Sequence, residues 1–332
     1  MSEAARAITR AIHGRVRWNR IGAAISLAIV VIAAVALVRL LSDIELAKVV
    51  TALKAKRLED VLLAAAFVAC GFVTLSAYDF FALRTIGKDN VPYRVALFAS
   101  FTSYTIGHNL GATVFTAGAV RFRIYSAWGL TVLDVAKIAF ITGLTFWLGN
   151  AFVLGCGMSY APEAASSVNQ LPEWINRAIG MCALTVIAGY IAWLIPCTRL
   201  VGRSKWQIAL PNWRLTLVQV GIGVLDLSFG AIAMFALLPS HPAIGFVNLL
   251  VVFVTAMLLG FLSHAPGSLG VIEVAMIAGL PQFQKEELLA SLVIFRLLYF
   301  VLPFCGAGFL FGFRELWLIA ASAIRGRDDI ST

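Results

Sequence analysis

Charge is scarce in this sequence. Only 13% of its 332 residues are Asp, Glu, Lys or Arg, while 61% are hydrophobic. Globular domains carry about a quarter charged residues, so a water-soluble fold is excluded. Cysteine spacing is the next absence. Cys70, Cys156, Cys182, Cys197 and Cys305 are scattered, with no C-x-x-C pair. That leaves neither a disulfide framework nor a zinc site to read. Also missing are G-x-x-x-x-G-K-[ST], H-E-x-x-H and G-x-S-x-G. These absences remove the signatures of an ATP-driven pump, a zinc protease and a serine hydrolase. No polar segment is long enough to form a soluble transferase domain. We therefore expect no enzyme activity, no catalytic residue, no cofactor and no metal. Strict alternation of polar and apolar residues is absent too, which argues against a membrane barrel.

What the chain does have is a series of apolar runs near the roughly 20 residues that cross a bilayer. The expected fold is all-α: a polytopic helical membrane protein of about eight membrane segments, some broken or re-entrant. Domain organisation follows the charges: a basic tail over residues 1–20, a membrane domain over 21–313, and a second tail over 314–332. The net charge of +9 marks cytoplasmic loops and not a nucleic-acid partner, because Arg and Lys accumulate on the inner side of membrane proteins.

Five arginines before residue 21 place the N-terminus inside, and residues 21–41 form a first span rather than a cleaved signal core. Ser42 and Glu45 have capping-box spacing. They open an amphipathic segment with Leu46, Val49, Val50 and Leu53 on one face, either on the outer interface or as a solvated connector. Further spans are expected over 61–83, 132–158, 177–195, 215–238, 243–262 and 288–312. Asp134 and Lys137 stand at pairing distance on a helix. The 159–174 loop has no Arg or Lys and reads as external. Trp206 and Trp213, beside Arg199, Arg203, Lys205 and Arg214, read as interfacial anchors in an internal loop. Both termini come out cytoplasmic.

Two stretches break this pattern. Residues 95–120 are apolar but contain His108, Asn109 and several Gly, Ser and Thr, and end in Arg121 and Arg123. A plain span would put those arginines outside. A re-entrant hairpin bent near residues 107–111 returns them to the inner side, and the later charges favour the hairpin. The second stretch, residues 263–273, reads SHAPGSLGVIE. Pro266, Gly267 and Gly270 cannot continue a regular helix. Paired Gly/Pro-interrupted segments in the two halves of a transporter point to its binding site.

Charges at membrane depth complete the candidate site. Glu273 and Arg296 each cost about 2.5–3.5 kcal/mol if unpaired, so they need partners or water. They form either a packing ion pair or a head-group contact. Arg296, Tyr299 and Pro303 share a helical face. Arg121, Arg123 and Tyr125 sit where the hairpin regains the inner interface, and Arg suits bidentate phosphate binding. Asp226 lies near the centre of its span and either titrates or bonds to a neighbour. His108 and Asn109 cap a break or touch a head group.

At these residues the chain resembles the lysylphosphatidylglycerol synthase transmembrane family, the flippase-like membrane unit. The resemblance rests on IGHNLGATVFTAGAVRFRIYSAWGL (106–130), DVAKIAFITGLTFWLGN (134–150), SHAPGSLGVIE and Arg296-x-x-Tyr299-x-x-x-Pro303. Ala117, Phe122 and Ser268 stand where the family pattern leads us to expect Gly, Tyr and Gly. The resemblance implies movement of aminoacylated phosphatidylglycerol, or of other lipids such as hopanoids, between leaflets of a bacterial inner membrane. It carries Arg121, Arg123, Glu273 and Arg296 onto the family's polar positions. With no transferase domain in this chain, it does not imply lysine transfer. The partners it implies are membrane lipids, with an anionic head group favoured. Two alternatives stay open: a non-transporting subunit docking a separate lipid-modifying enzyme, and a small-solute carrier.

Overall fold

The computed structural model of the protein describes residues 46–111, 113–196, 199–202 and 207–328. The expected basic tail, the 21–41 span and the Ser42–Glu45 cap lie outside the described residues, as do Cys197, Arg203, Lys205 and Trp206. So do most side chains of the C-terminal tail.

The fold is an all-α polytopic membrane bundle. A short amphipathic helix, α1 (Leu46–Ala55), leads into α2 (Leu58–Thr85). Next come α3 (Tyr93–Leu110) and α4 (Thr113–Tyr125), then the long α5 (Val132–Tyr160). Beyond them are α6 (Pro162–Asn169), α7 (Glu173–Leu194), α8 (Trp213–Leu237) and α9 (Phe246–Ser263). The last part is α10 (Val271–Gly279), α11 (Lys285–Arg296), a π turn (Leu297–Val301) and α12 (Leu302–Asp328). A two-residue antiparallel ribbon, β1 (Leu200–Val201) with β2 (Ile208–Ala209), closes the loop before α8. Six described helices are long and apolar enough to cross a membrane: α2, α5, α7, α8, α9 and the run Lys285–Arg314. They coincide with the expected spans after the first.

Apolar packing fixes the two ends of the bundle. At one end the C-terminal part of α2 (Ala82, Leu83), Val91, Ala96 and the end of α4 (Ile124, Tyr125) form a single cluster. Val135 of α5 and Ile208 of β2 join it. Arg84, Lys88, Arg94, Arg123, Arg199 and Arg214 belong to the segments at this end. The opposite cluster joins Val49 of α1, the α5–α6 corner (Met158, Ala161, Ala164), Leu237, Leu280 and Leu288. The hairpin expected over residues 95–120 is therefore present: α3 leaves the basic end and α4 comes back to it.

The centre is drawn tight where side chains vanish. A Cβ on Gly149 of α5 would sit 2.6 Å from Cα of Gly223 on α8. In lipid, where helices gain little from burying apolar faces, such backbone contact supplies the packing. α5 is capped by Thr131 and Asp134, each bonded to the other's backbone.

Three expectations change. Asp134 does not pair with Lys137; it caps α5 and bridges to Lys88 at 3.2 Å. Both partners lie at the same end, so a loop-to-helix bridge replaces the local one. In α1, Val49 is buried but Val50 is 48% exposed, because α1 packs on α11 through a narrower stripe than a free interfacial helix needs. The 159–174 loop contains a helix, α6, which Pro162 at its first turn starts.

Candidate functional site

The two broken stretches meet. At Gly111, φ is 77° and ψ is −176°, a conformation that glycine alone adopts without strain. A Cβ there would lie 3.2 Å from the carbonyl oxygen of His264. On the other side, α9 ends at His264 (φ 55°), and Gly267, Ser268 and Gly270 also take positive φ. The sequence needs these bends because Pro266 forbids a continuing helix and the glycines supply left-handed backbone. Two non-glycine residues held at positive φ mark a segment fixed by its surroundings.

What fixes it is Glu273 with Arg296. Glu273 Oε2 accepts the Gly270 N–H at 2.8 Å, closing the start of α10. Its other oxygen accepts from Arg296 Nε at 2.8 Å and from Nη2 as well. The third arm, Arg296 Nη1, donates to the Gly267 carbonyl at 2.8 Å. Asn109 adds a tie from the first break, its Nδ2 donating to Thr105 O at 2.9 Å and to Phe300 O in the π turn at 3.3 Å. The Gly267 and Phe300 carbonyls and the Gly270 N–H are thus bonded by protein side chains, as a hydrocarbon surround requires.

Helix lengths locate the breaks. At 1.5 Å per residue, α4 carries the chain about 20 Å from Gly111 to the basic end, and α10 spans about 14 Å to the opposite end. The total, about 34 Å, is close to one hydrocarbon thickness of roughly 30 Å. The breaks therefore touch near mid-membrane.

Beside them lies a cavity of about 240 Å³. Tyr78 of α2, Tyr104 and His108 of α3, Arg121 of α4, Asp226 of α8 and Tyr299 of the π turn supply polar lining, with Thr142 and Asn150 of α5. Phe146, Trp147, Met257, Leu258 and Phe261 supply apolar lining from α5 and α9. Gly111, His264, Ala265 and Ser268 supply the break itself. Both interrupted segments thus border one chamber.

Two carboxylates approach this chamber and differ in their partners. Asp79 is sealed (0% exposed). It accepts a fork from Arg121, Nε at 3.0 Å and Nη2 at 2.8 Å, and the Tyr125 hydroxyl at 2.9 Å. The Arg121 guanidinium also lies 4.6 Å from the Tyr104 ring centroid, a cation–π contact. Asp226 accepts the Tyr78 hydroxyl, at 3.1 Å. Among the described residues no cation bridges it.

The expected site residues therefore divide. His108, Asp226 and Tyr299 border the chamber. Arg121 borders it too, but its fork is closed on Asp79 and its charge is compensated, so it is no open phosphate contact. Tyr125, at the end of α4, is buried with the same carboxylate. Arg123 stands exposed at the end of α4. Glu273, Arg296, Pro266, Gly267, Gly270 and Asn109 brace the breaks and do not line the cavity: of the two uses open to the Glu273–Arg296 pair, the geometry supports packing. His108, expected as a cap or a head-group contact, stands beside the Tyr104 ring at 5.8 Å. Asp79, Tyr78 and Tyr104 join the site although no motif singles them out. Asp79 has a readable signal all the same, a lone carboxylate inside an apolar run, where a partner is obligatory.

No family model matches the chain. The chain is similar to the uncharacterized protein slr0712 of Synechocystis sp., 25% identical over 252 residues that cover 76% of this chain and 78% of that protein. It is also similar to the inner membrane protein YbhN of Escherichia coli, 26% identical over 254 residues that cover 73% of this chain and 76% of YbhN. Both similarities extend over most of the membrane bundle.

Proposed function

We propose that this protein moves a membrane lipid between the leaflets of a bacterial inner membrane. The observation that carries the proposal is the mid-membrane chamber, bordered by both broken segments and lined by both polar groups and apolar rings. A head group needs such a place to leave water, while its chains stay in lipid. The resemblance in the breaks' motifs supports aminoacylated phosphatidylglycerol or a hopanoid as cargo. The similarity to YbhN, an inner membrane protein, supports the location.

In this reading the braced breaks are the rigid parts. They hold backbone out of helical register, with the Gly267 carbonyl and the Gly270 N–H bonded by side chains, and so keep the chamber open. Tyr78, Tyr104, His108 and Asp226 exchange hydrogen bonds with the passing head group. An anionic phosphate meets Arg123 at the exposed end of α4; Arg121 contributes a compensated wall. Movement runs on an ion or proton gradient, or down the lipid's own gradient.

Reconstitution tests this. Vesicles of phosphatidylethanolamine and phosphatidylglycerol, carrying a trace of head-group-labelled phosphatidylglycerol, are treated with a membrane-impermeant quencher. With the protein present, the protected inner half should become quenchable, and Asp226→Asn should slow that loss. Exchange no faster than in protein-free vesicles, with labelled phosphatidylglycerol, phosphatidylethanolamine and a hopanoid probe, under imposed proton and sodium gradients, would sink the proposal.

A further inference from the structure

We propose that the chamber opens sideways into hydrocarbon between α5 and α9, and that the occupant of this opening is an acyl chain of a membrane lipid. The inference rests on the lipid reading above and adds the route.

The two helices form a wedge. Toward the end opposite the basic loops they touch: a Cβ on Gly157 of α5 would collide with Val251 Cγ2 of α9. About ten residues further along each antiparallel helix the gap is filled by rings. Phe146 lies 5.0 Å from Phe261 and Trp147 lies 6.3 Å from it. Still nearer the basic end, a Cβ on Gly143 would meet no atom within 4 Å. Packing therefore loosens from contact, to rings, to open space, and the chamber lies at the loose end.

Exposure marks the same side. Most residues bordering the chamber are buried or half-buried, but Trp147 is 47% exposed and His264 is also exposed. One belongs to the middle of α5, the other to the end of α9. Trp147 is the sixteenth of the 29 residues of α5. Tryptophan in membrane helices gathers at the interfaces, so an anchor belongs at a helix end. At mid-span this ring faces chains, not head groups.

Polarity decides the occupant. The wedge wall offers Phe146, Trp147, Met257, Leu258 and Phe261, with no charge. Tyr78, Tyr104, His108 and Asp226 line the chamber from α2, α3 and α8, while Thr142 and Asn150 of α5 and His264 at the end of α9 add neutral polar groups beside the rings. A small polar solute would leave the ring wall unused and wet. An amphiphile fits both walls at once, with its chain passing between the rings and its head group facing Asp226.

The test uses the full chain in vesicles of phosphatidylethanolamine and phosphatidylglycerol, with a trace of phosphatidylglycerol bearing a diazirine midway along one acyl chain. After illumination, adducts are mapped by peptide mass spectrometry. Expected is several-fold more label at Trp147 and Phe261 than at Val186 and Leu225, which are 64% and 52% exposed near the middles of α7 and α8. Gly143→Leu, which projects a side chain into the open space, should remove that excess while the melting temperature holds. Ala139→Leu, from the same wall, serves if Gly143→Leu unfolds. Equal labelling of all four sites, unchanged by either plug, would overturn the side opening. Enriched labelling without leaflet exchange would keep the opening and reject lipid movement, so the two failures are distinct.

Discussion

Asp79–Arg121 joins two helices through their flanks; Glu273–Arg296 joins the first turn of α10 to the end of α11 and ties both to a stretch that is not helical. The first pair is sealed, with side chains 0% and 5% exposed, and its fork geometry uses both carboxylate oxygens. The second is partly open, at 14% and 17%, and each of its groups also holds a backbone atom of the break. Buried charge is costly in both cases, but it is retained for different reasons. One pair fastens the re-entrant hairpin to α2 and forms part of a chamber wall. The other replaces the hydrogen bonds that an unbroken helix would have made. Asp226 completes the comparison: among the described residues it has a hydroxyl partner and no bridging cation.

Breaking the sealed pair should have the largest effect. Arg121→Met leaves Asp79 buried without its counter-charge, and removal of one partner of such a pair costs about 3–5 kcal/mol. Chemical unfolding in mixed micelles should report that loss. The double change Asp79→Leu with Arg121→Met should recover most of it, because an apolar pair no longer carries a desolvation cost. No recovery would mean that the fork, and not charge compensation, holds α4 in place.

Gly111→Ala comes next. It puts a Cβ at a backbone conformation restricted to glycine and 3.2 Å from the His264 carbonyl. Strain of this kind costs about 1–3 kcal/mol. If instead the variant melts like the parent, the two breaks are not in firm contact, and the chamber they share is looser than that close approach requires.

Much of this was readable from residue order. Spans appear as apolar runs, and the breaks appear where Pro266 and clustered glycines interrupt them. The hairpin followed from Arg121 and Arg123, because only a returning chain keeps them with Arg84 and Arg94. What could not be read was which charge meets which. Asp79 and Arg121 are 42 positions apart, and nothing in local spacing selects Asp79 over Glu273 as the arginine's partner. That choice depends on how α2 packs against the hairpin. The π turn hid the site in the same way. A regular helix keeps Arg296 and Tyr299 on one face, yet here Arg296 bonds the break while Tyr299 borders the chamber. An extra residue per turn rotates the side chains beyond it, and apolar composition carries no mark of that rotation.

Glu273→Gln sharpens the contrast at smaller cost. Glutamine keeps one acceptor oxygen, so either the Gly270 N–H or the Arg296 guanidinium keeps its bond while the other faces an NH2, and the charge is lost as well. A hydrogen bond to a charged group is worth about 1.5–3 kcal/mol, and partial exposure holds the loss toward the lower figure. The expected signature is local: faster amide exchange over residues 264–270, with α2 and α4 unchanged. Exchange rising equally throughout would show that the pair supports the whole bundle and not the break alone.

The smallest stability effect should fall on the residue closest to the proposed chemistry. Tyr78→Phe removes the hydroxyl that Asp226 accepts at 3.1 Å, whereas Tyr125→Phe removes one of three donors to the sealed Asp79. A bond to a charged group is worth about 1.5–3 kcal/mol where solvent cannot replace it. Asp79 has no route to a substitute donor, so Tyr125→Phe should cost an amount in that range. Asp226 faces a chamber roomy enough for water, which can take the hydroxyl's place, so Tyr78→Phe should cost at most about 1 kcal/mol. Lipid exchange should reverse the order, slowing more for Tyr78→Phe than for Tyr125→Phe, because only the first hydroxyl borders the path. If the two tyrosines rank the same way in stability and in exchange, then Asp226 is a packing residue like Asp79 and takes no part in the lipid's passage.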